Sequence, residues 1–398
     1  RQRQMCIRDR GPRYHLHPLL RAYVRGKPES NIAREDRRMV RFCWLLAGAA
    51  HSLLGDPERA RGAVAWAAAE HLNLIGAQEA ALERGMRAEA VAFAYWLDDL
   101  FERSGHWDLR RRALENGLSV AQAVSLRDYG SLLHNRGVLA QQQGDYGQAR
   151  RLYEESLRIK EELGDRAGVA QTLHQWGMLA QDTGDYGQAR RLYEESLRIA
   201  EELGDRAGVA QTLGQLGNLA YLQGDYGQAR RLYEESLRIE EELGNRAGVA
   251  KTLHQLGILA QDTGDYGQAR RFYERAAETF RDLNARREQA AVLHQLGMLA
   301  QDTGDYGQAR RLYEESLRIK EELGDRAGVA ISLGQLGRLA ELEGDYRTAV
   351  RLWAIALATF EELHSPNRNI VAGWFARLRE QLGEERFTQL LREALGGD

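Results

Sequence analysis

Histidines and carboxylates are the side chains here with the means to do acid–base or metal chemistry. His134, His174, His254 and His294 recur at forty-residue steps. Paired carboxylates such as Glu154-Glu155 and Glu161-Glu162 recur with them, beside Arg150, Arg151 and Arg158. A zinc ion needs about four ligands near 2 Å, whereas packed helices lie about 8–10 Å apart. Histidines on successive helices therefore do not converge on a metal. The carboxylates read as solvated helix faces, laced by i,i+4 pairs that contribute a few tenths of a kcal/mol each. Gly26-Lys27 is the only Gly-Lys pair, and Pro28 follows it with no glycine-rich run to cradle a phosphate. Cys6 and Cys43 are the only cysteines, too few for a disulfide framework or a zinc cluster. No nucleophile elbow or zinc-protease motif occurs. The expectation is a protein that is not an enzyme, with no catalytic residues, no cofactor and no bound metal.

The elements that position these residues are repeats. Gly184-Asp185-Tyr186 recurs at Gly144, Gly224, Gly264, Gly304 and Gly344. A fixed period in the 20–50 range marks a solenoid or array. In the second copy, Asp165 N-caps a helix over 166–182, and Gly184 closes it in the left-handed conformation. Asp185 caps the next helix, with Gln188 placed to complete a capping box, and Gly204 ends it. Each repeat is thus two antiparallel helices, A and B. Leu173, Trp176, Gly177 and Ala180 form the apolar stripe of helix A. Ala189, Leu192, Tyr193, Ser196, Leu197 and Leu203 form that of helix B. The recurrence of Gly177 at 137, 217, 257, 297 and 337 predicts a close approach of two backbones. The Tyr of Gly-Asp-Tyr is expected to fill the joint.

In this order, the large apolar residue Leu173, Trp176-Gly177, Ala180, Gly184, Ala189, Tyr193 and Ser196-Leu197 resemble the tetratricopeptide repeat. The forty-residue period is similar to kinesin-light-chain-like arrays. The resemblance implies an all-α, right-handed superhelical solenoid of antiparallel helix hairpins, with helix A lining a concave groove. It departs from the family in Ala180, in the missing proline after helix B, and in the longer period.

The expected organisation is six such repeats over 127–364, a degenerate repeat over 87–126, lead-in helices over 31–86 and capping helices over 365–398. Residues 11–30 include Arg13-Tyr14-His15-Leu16-His17-Pro18-Leu19-Leu20-Arg21-Ala22-Tyr23, which resembles the end of the winged-helix module behind the nucleotide-binding core of NB-ARC (STAND-class) signalling ATPases. Residues 1–10 contain Gln4-Met5-Cys6-Ile7-Arg8-Asp9, similar to a translated transposon end from library preparation. They are set aside, with the expectation that the natural chain continues upstream.

The net charge of −3 disfavours binding to polyanions, although residues 11–42 hold eight Arg or Lys against three Asp or Glu. That basic start reads as a solvated face, and no nucleic acid is expected as a partner. The longest apolar run, near Phe42–Leu54, contains His51 and is too short to cross a bilayer. A reducing cytoplasm is the simplest home, and no membrane partner is expected. Trp44, Trp66, Trp96 and Trp107 are expected to pack in the core.

Differences between copies carry the functional signal. Helix B hardly changes, whereas helix A varies along one stripe. One row reads His134, His174, Gly214, His254, His294 and Gly334. The next reads Val138, Met178, Asn218, Ile258, Met298 and Arg338, and the third Gln141, Gln181, Tyr221, Gln261, Gln301 and Glu341. Gln171, Gln211 and Lys251 stand one turn before the histidine row. These positions are the expected groove for a protein or peptide partner, and the histidines would make capture pH-sensitive. By resemblance, the chain is the sensor arm of a bacterial NB-ARC-type protein, with its nucleotide-binding domain upstream in cis. The alternatives are a stand-alone adaptor and the C-terminal array of a transcriptional regulator.

Overall fold

The computed structural model describes residues Ile32–Gly396; residues 1–31, with the two resemblances they carry, lie outside it. Among the described residues the protein is all-α, with eighteen helices joined by short turns. It divides into two compact units, 1–199 and 200–398.

The first unit begins with α1 (Ile32–Ser52), a 3-10 turn (Leu53–Gly55), α2 (Pro57–Glu83), α3 (Arg87–Ser104) and α4 (Trp107–Val124). Phe93, Leu97, Leu100 and Phe101 are fully buried. Trp44 packs on Trp96 with ring centroids 5.0 Å apart. Trp107 departs from the expected tryptophan core: it is 44% exposed, and the Arg110 guanidinium lies 5.9 Å over its ring. Arg110 itself is buried and donates to Asp98 at 2.6 Å, with Glu102 and Gln142 also in reach. The repeats follow as α5 (Leu126–Gln142) with α6 (Tyr146–Glu162), and α7 (Arg166–Asp182) with α8 (Tyr186–Leu203).

The second unit holds the hairpins α9 (Arg206–Leu222) with α10 (Tyr226–Glu242), and α11 (Arg246–Asp262) with α12 (Tyr266–Asp282). Next come α13 (Arg286–Asp302) with α14 (Tyr306–Glu322), and α15 (Arg326–Leu342) with α16 (Tyr346–Glu362). Helices α17 (Arg368–Leu382) and α18 (Glu384–Leu395) close it. Val371, Trp374, Phe375 and Leu378 form their inward stripe, with Trp374 and Phe375 on the ring of Trp353 at 5.7 and 5.6 Å. Ile370 is 54% exposed, because that stripe starts one residue later. Arg377, Arg379, Glu380 and Glu385 lie in solvent.

The joints follow from their residues. Gly184 has φ 79°, a left-handed conformation that costs glycine nothing sterically. Asp185 then accepts from Gln188 N at 2.9 Å, removing one of the orphan donors of the new helix. The joint before α13 lacks both devices: Asn284 takes the left-handed turn at φ 53°, and Ala285 caps nothing.

Two expectations about packing are corrected. The tyrosines of Gly-Asp-Tyr do not all fill the joint: Tyr146, Tyr226 and Tyr266 are 40–44% exposed, whereas Tyr306 and Tyr346 pack against apolar clusters. The buried ring is that of Tyr193 and its counterparts Tyr153, Tyr233, Tyr273 and Tyr313. Gly137, Gly177, Gly217, Gly257 and Gly297 make room for that ring rather than for a second backbone, since a Cβ at Gly177 would stand 2.6 Å from Tyr193 Cε1; at Gly337 the ring is that of Trp353, with Ala349 O also 3.2 Å away. Helix B is also tied to helix A by its serine, as in Ser196 Oγ donating to Ala170 O at 2.8 Å.

Successive hairpins meet through matched residues. Lys160 reaches from α6 to Thr172 Oγ1 on α7 at 2.9 Å, and Lys320 from α14 to Ser332 Oγ on α15 at 2.9 Å. Where Phe280 takes the lysine's place on α12, Val292 stands opposite in the same apolar cluster. Burial holds the Lys160 ammonium down to about 8, with Asp165 pulling the other way.

Candidate functional site

Helix A buries Leu173, Gly177 and Ala180 against helix B and leaves a neighbouring stripe partly open. In the first unit, Val138 and Gln141 on α5 and Met178 and Gln181 on α7 are half-exposed, and Gln171 is exposed. In the second unit, Asn218, Tyr221, Ile258, Gln261, Met298, Gln301, Arg338 and Glu341 are half-exposed, with Gln211 and Lys251 fully so. Within each unit these side chains share the same helix face.

The histidine row is different. His134 and His174 are buried, and His254 and His294 are more than half buried. Each ring lies on the helix B tyrosine of its own hairpin, at 5.9 Å for His134–Tyr153, 5.6 Å for His174–Tyr193, 5.9 Å for His254–Tyr273 and 5.4 Å for His294–Tyr313. His134 Nδ1 also lies 3.2 Å from Thr172 Oγ1. Burial disfavours the imidazolium, so His134 falls to about 3, and His174 and His294 to about 4. Lys160 adds to this at His134, and Lys320 at His294. His254 shifts down for the same reason of burial. Burial thus favours the neutral form of these rings, and their contact with the helix B tyrosines places them in the wall of the face, behind the half-exposed rows. Among the described residues, no cluster of three His, Cys, Asp or Glu is placed to hold a metal ion.

The glutamine row is partly committed to the scaffold. Tyr153 Oη donates to Gln141 Oε1 at 3.0 Å, and Gln141 Nε2 donates to Asp182 Oδ2 at 2.8 Å. Tyr273, Gln261 and Asp302 repeat this relay, both bonds at 3.0 Å. Gln141 and Gln261 therefore have both amide ends engaged. Gln181 and Gln301 accept from Tyr193 and Tyr313 at 3.3 and 3.2 Å, but Leu222 and Leu342 stand at the next aspartate position. In the divergent hairpin, Tyr233 Oη instead donates to Asn218 Oδ1 at 2.7 Å, and Tyr221 bonds Asp262.

One row of the open face had no sequence signal. Gln175 in the first unit, and Gln215, Gln255, Gln295 and Gln335 in the second, are half-exposed between the other rows. Five copies carry the same Gln, and only the first differs, with Asn135 bonded to Asp98 at 2.8 Å, so the row shows little contrast between repeats. The face thus presents amides that donate and accept, beside apolar Met178, Ile258 and Met298.

Against this geometry the comparisons fall into place. A tetratricopeptide-repeat sequence profile matches residues 128–202, 168–242, 208–282 and 288–372, more than half of the chain. The chain belongs to the tetratricopeptide-repeat family, whose helix-hairpin arrays are scaffolds for protein and peptide interaction. No curated protein sequence matches it. Among solved structures it is similar to BtubC (BKLC) from P. vanneervenii, at 21% identity over 55% of this chain and 92% of that one, with a TM-score of 0.50. It is also similar to a Signal Transduction ATPase with Numerous Domains from Pyrococcus horikoshii that carries a tetratricopeptide-repeat sensor. There the identity is 14% over 94% of this chain and 57% of that one, with a TM-score of 0.53. A third is the Rap conjugation gene regulator of plasmid pLS20 in complex with the Phr peptide, at 16% identity over 74% and 77%, with a TM-score of 0.53. At these identities the likeness is one of fold. No helix among the described residues is long and apolar enough to cross a membrane.

Proposed function

We propose that this chain is a recognition arm that holds an extended peptide, or an extended segment of a partner protein, on the open face of its A helices. The observation that carries this is the division of labour between the two helices. Helix B repeats G-Q-A-R-R-L-Y-E-E-S-L-R-I unchanged at 147, 187, 227 and 307, while the half-exposed rows of helix A change from Val138 to Met178, Asn218, Ile258, Met298 and Arg338. The alternation of amides with apolar side chains suits a peptide, whose backbone exchanges hydrogen bonds and whose side chains bury apolar surface.

The arm belongs to a signalling ATPase of the NB-ARC (STAND) class, with its nucleotide-binding core preceding the array. The stretch Arg13–Lys27 supports this by its resemblance to the end of that class's winged-helix module. Capture of a ligand shifts such a switch only through differential affinity for its two states.

The test is a triple substitution, Asn218, Ile258 and Met298 to Ala, on the full chain. Peptides selected from a displayed random library on the unaltered chain should lose affinity for the variant while its melting curve is nearly preserved. Equal affinity for both chains would remove the assignment of this face.

A further inference from the structure

In the second unit, three of the four hairpins carry a ring on the buried ring of helix B. His254 lies on Tyr273, His294 on Tyr313, and Trp374 on Trp353, with centroids 5.4–5.9 Å apart. The fourth buried ring is Tyr233, on which no ring lies among the described residues. Gly214 stands there in place of histidine. A Cβ at Gly214 would meet only Ser236 Oγ, at 3.8 Å.

Gly334 supplies the comparison. It too replaces the histidine, but the cap fills its place: a Cβ at Gly334 would stand 3.0 Å from Trp374 Cζ3 and 3.3 Å from Cη2. Gly334 is buried beneath that indole, whereas Gly214 is partly exposed. Thr252, on the following helix α11, is 8% exposed, while Val292 and Ser332 at the same position after His254 and His294 are at 0%. The missing ring therefore leaves a notch open to solvent. The groove rows change together around it, to Asn218, Tyr221 and Leu222, the last 49% exposed.

We propose that the notch at Gly214 is an anchor site for one aromatic side chain of the bound peptide, with an indole as its best occupant. The fold shows the occupant's chemistry. Where glycine stands in the last hairpin, a tryptophan from another segment enters with its Cζ3–Cη2 edge against the glycine and its ring on Trp353. A partner's tryptophan would take the same position over Tyr233. This rests on the peptide-binding reading of the helix A face, and names one contact within it.

Two probes test it on the full chain, N-acetyltryptophanamide and N-acetylleucinamide, followed by ligand-observed NMR. The variant Gly214→His restores the ring that neighbouring hairpins already carry, and its melting curve checks that it folds. The unaltered chain should bind the tryptophan probe saturably and in preference to the leucine probe. Gly214→His should weaken that binding by up to about tenfold, the value of one aromatic pair. No saturable binding, or binding unchanged by the substitution, overturns the notch. Selection from a displayed peptide library separates the two readings. Peptides that need Asn218, Ile258 and Met298 but lack aromatic residues and ignore Gly214→His uphold the face and sink the notch. A tryptophan probe displaced by Gly214→His, with no peptide selected, upholds the notch and sinks peptide capture.

Discussion

Gly177 lies beneath the ring of Tyr193, so close that a Cβ would stand 2.6 Å from Cε1 and 2.7 Å from Cδ1. The same relation joins Gly217 to Tyr233 and Gly297 to Tyr313. It sets how closely helix A meets helix B, and so which face of helix A is left open.

Gly177→Ala should therefore destabilise the protein by about 1–3 kcal/mol, the cost of overpacking a filled core. Glycine-to-alanine substitution in a helix otherwise gains about 1 kcal/mol. Gly214→Ala, whose Cβ has open space, should show that gain. Urea denaturation of the two variants measures the contrast; the same sign for both would contradict it.

The joint at Asn284-Ala285 is the least well capped of the array. Ala285→Asp gives α13 the N-cap that Asp205 and Asp325 give α9 and α15. It should stabilise the chain by about 1 kcal/mol, read as a higher urea midpoint. No gain would mean that the helix end is satisfied by other means.

Stability should fall with acidification before the carboxylates titrate. The histidines' folded pKa lies below the unfolded value of about 6.5, so their contribution is complete above that pH. It is lost as the pH falls towards about 4 for His174 and His294, because the unfolded chain binds more protons. Each ring contributes a slope of about 1.4 kcal/mol per pH unit in that window. His294→Gln should flatten the slope between pH 6.5 and 5 by about one proton; an unchanged slope would show the ring to be solvated.

Salt should matter little. Arg246–Asp282 at 2.7 Å and Arg286–Glu322 at 2.6 Å each tie the start of helix A to the end of helix B within one hairpin, but all except Arg286 are about half exposed. Such pairs contribute about 0–1 kcal/mol each. Raising the salt from 0.05 to roughly 0.5 M should move the melting temperature only slightly; a large drop would make the ladder a principal support.

The hairpins were legible because their punctuation is local: Gly184 must turn left-handed and Asp185 must cap, whatever surrounds them. What fills the space above Gly177 was not, since a small residue announces close approach without naming the intruder. His174 and Met178 share a stripe in sequence, but the width of that stripe decides that one meets Tyr193 and the other meets solvent. Gln255 carries little contrast, because every copy but the first, Asn135, has the same residue. The notch at Gly214 depends on how a distant cap treats Gly334, a relation only packing reveals.

The most direct test of the account is hydrogen–deuterium exchange of the full chain with and without a peptide selected from a displayed library. Added protection on helices A, centred on α9, α11 and α13 with α10, α12 and α14 little changed, is the predicted result. Protection confined to the B helices, or to α1–α4, would contradict the assignment of the binding face.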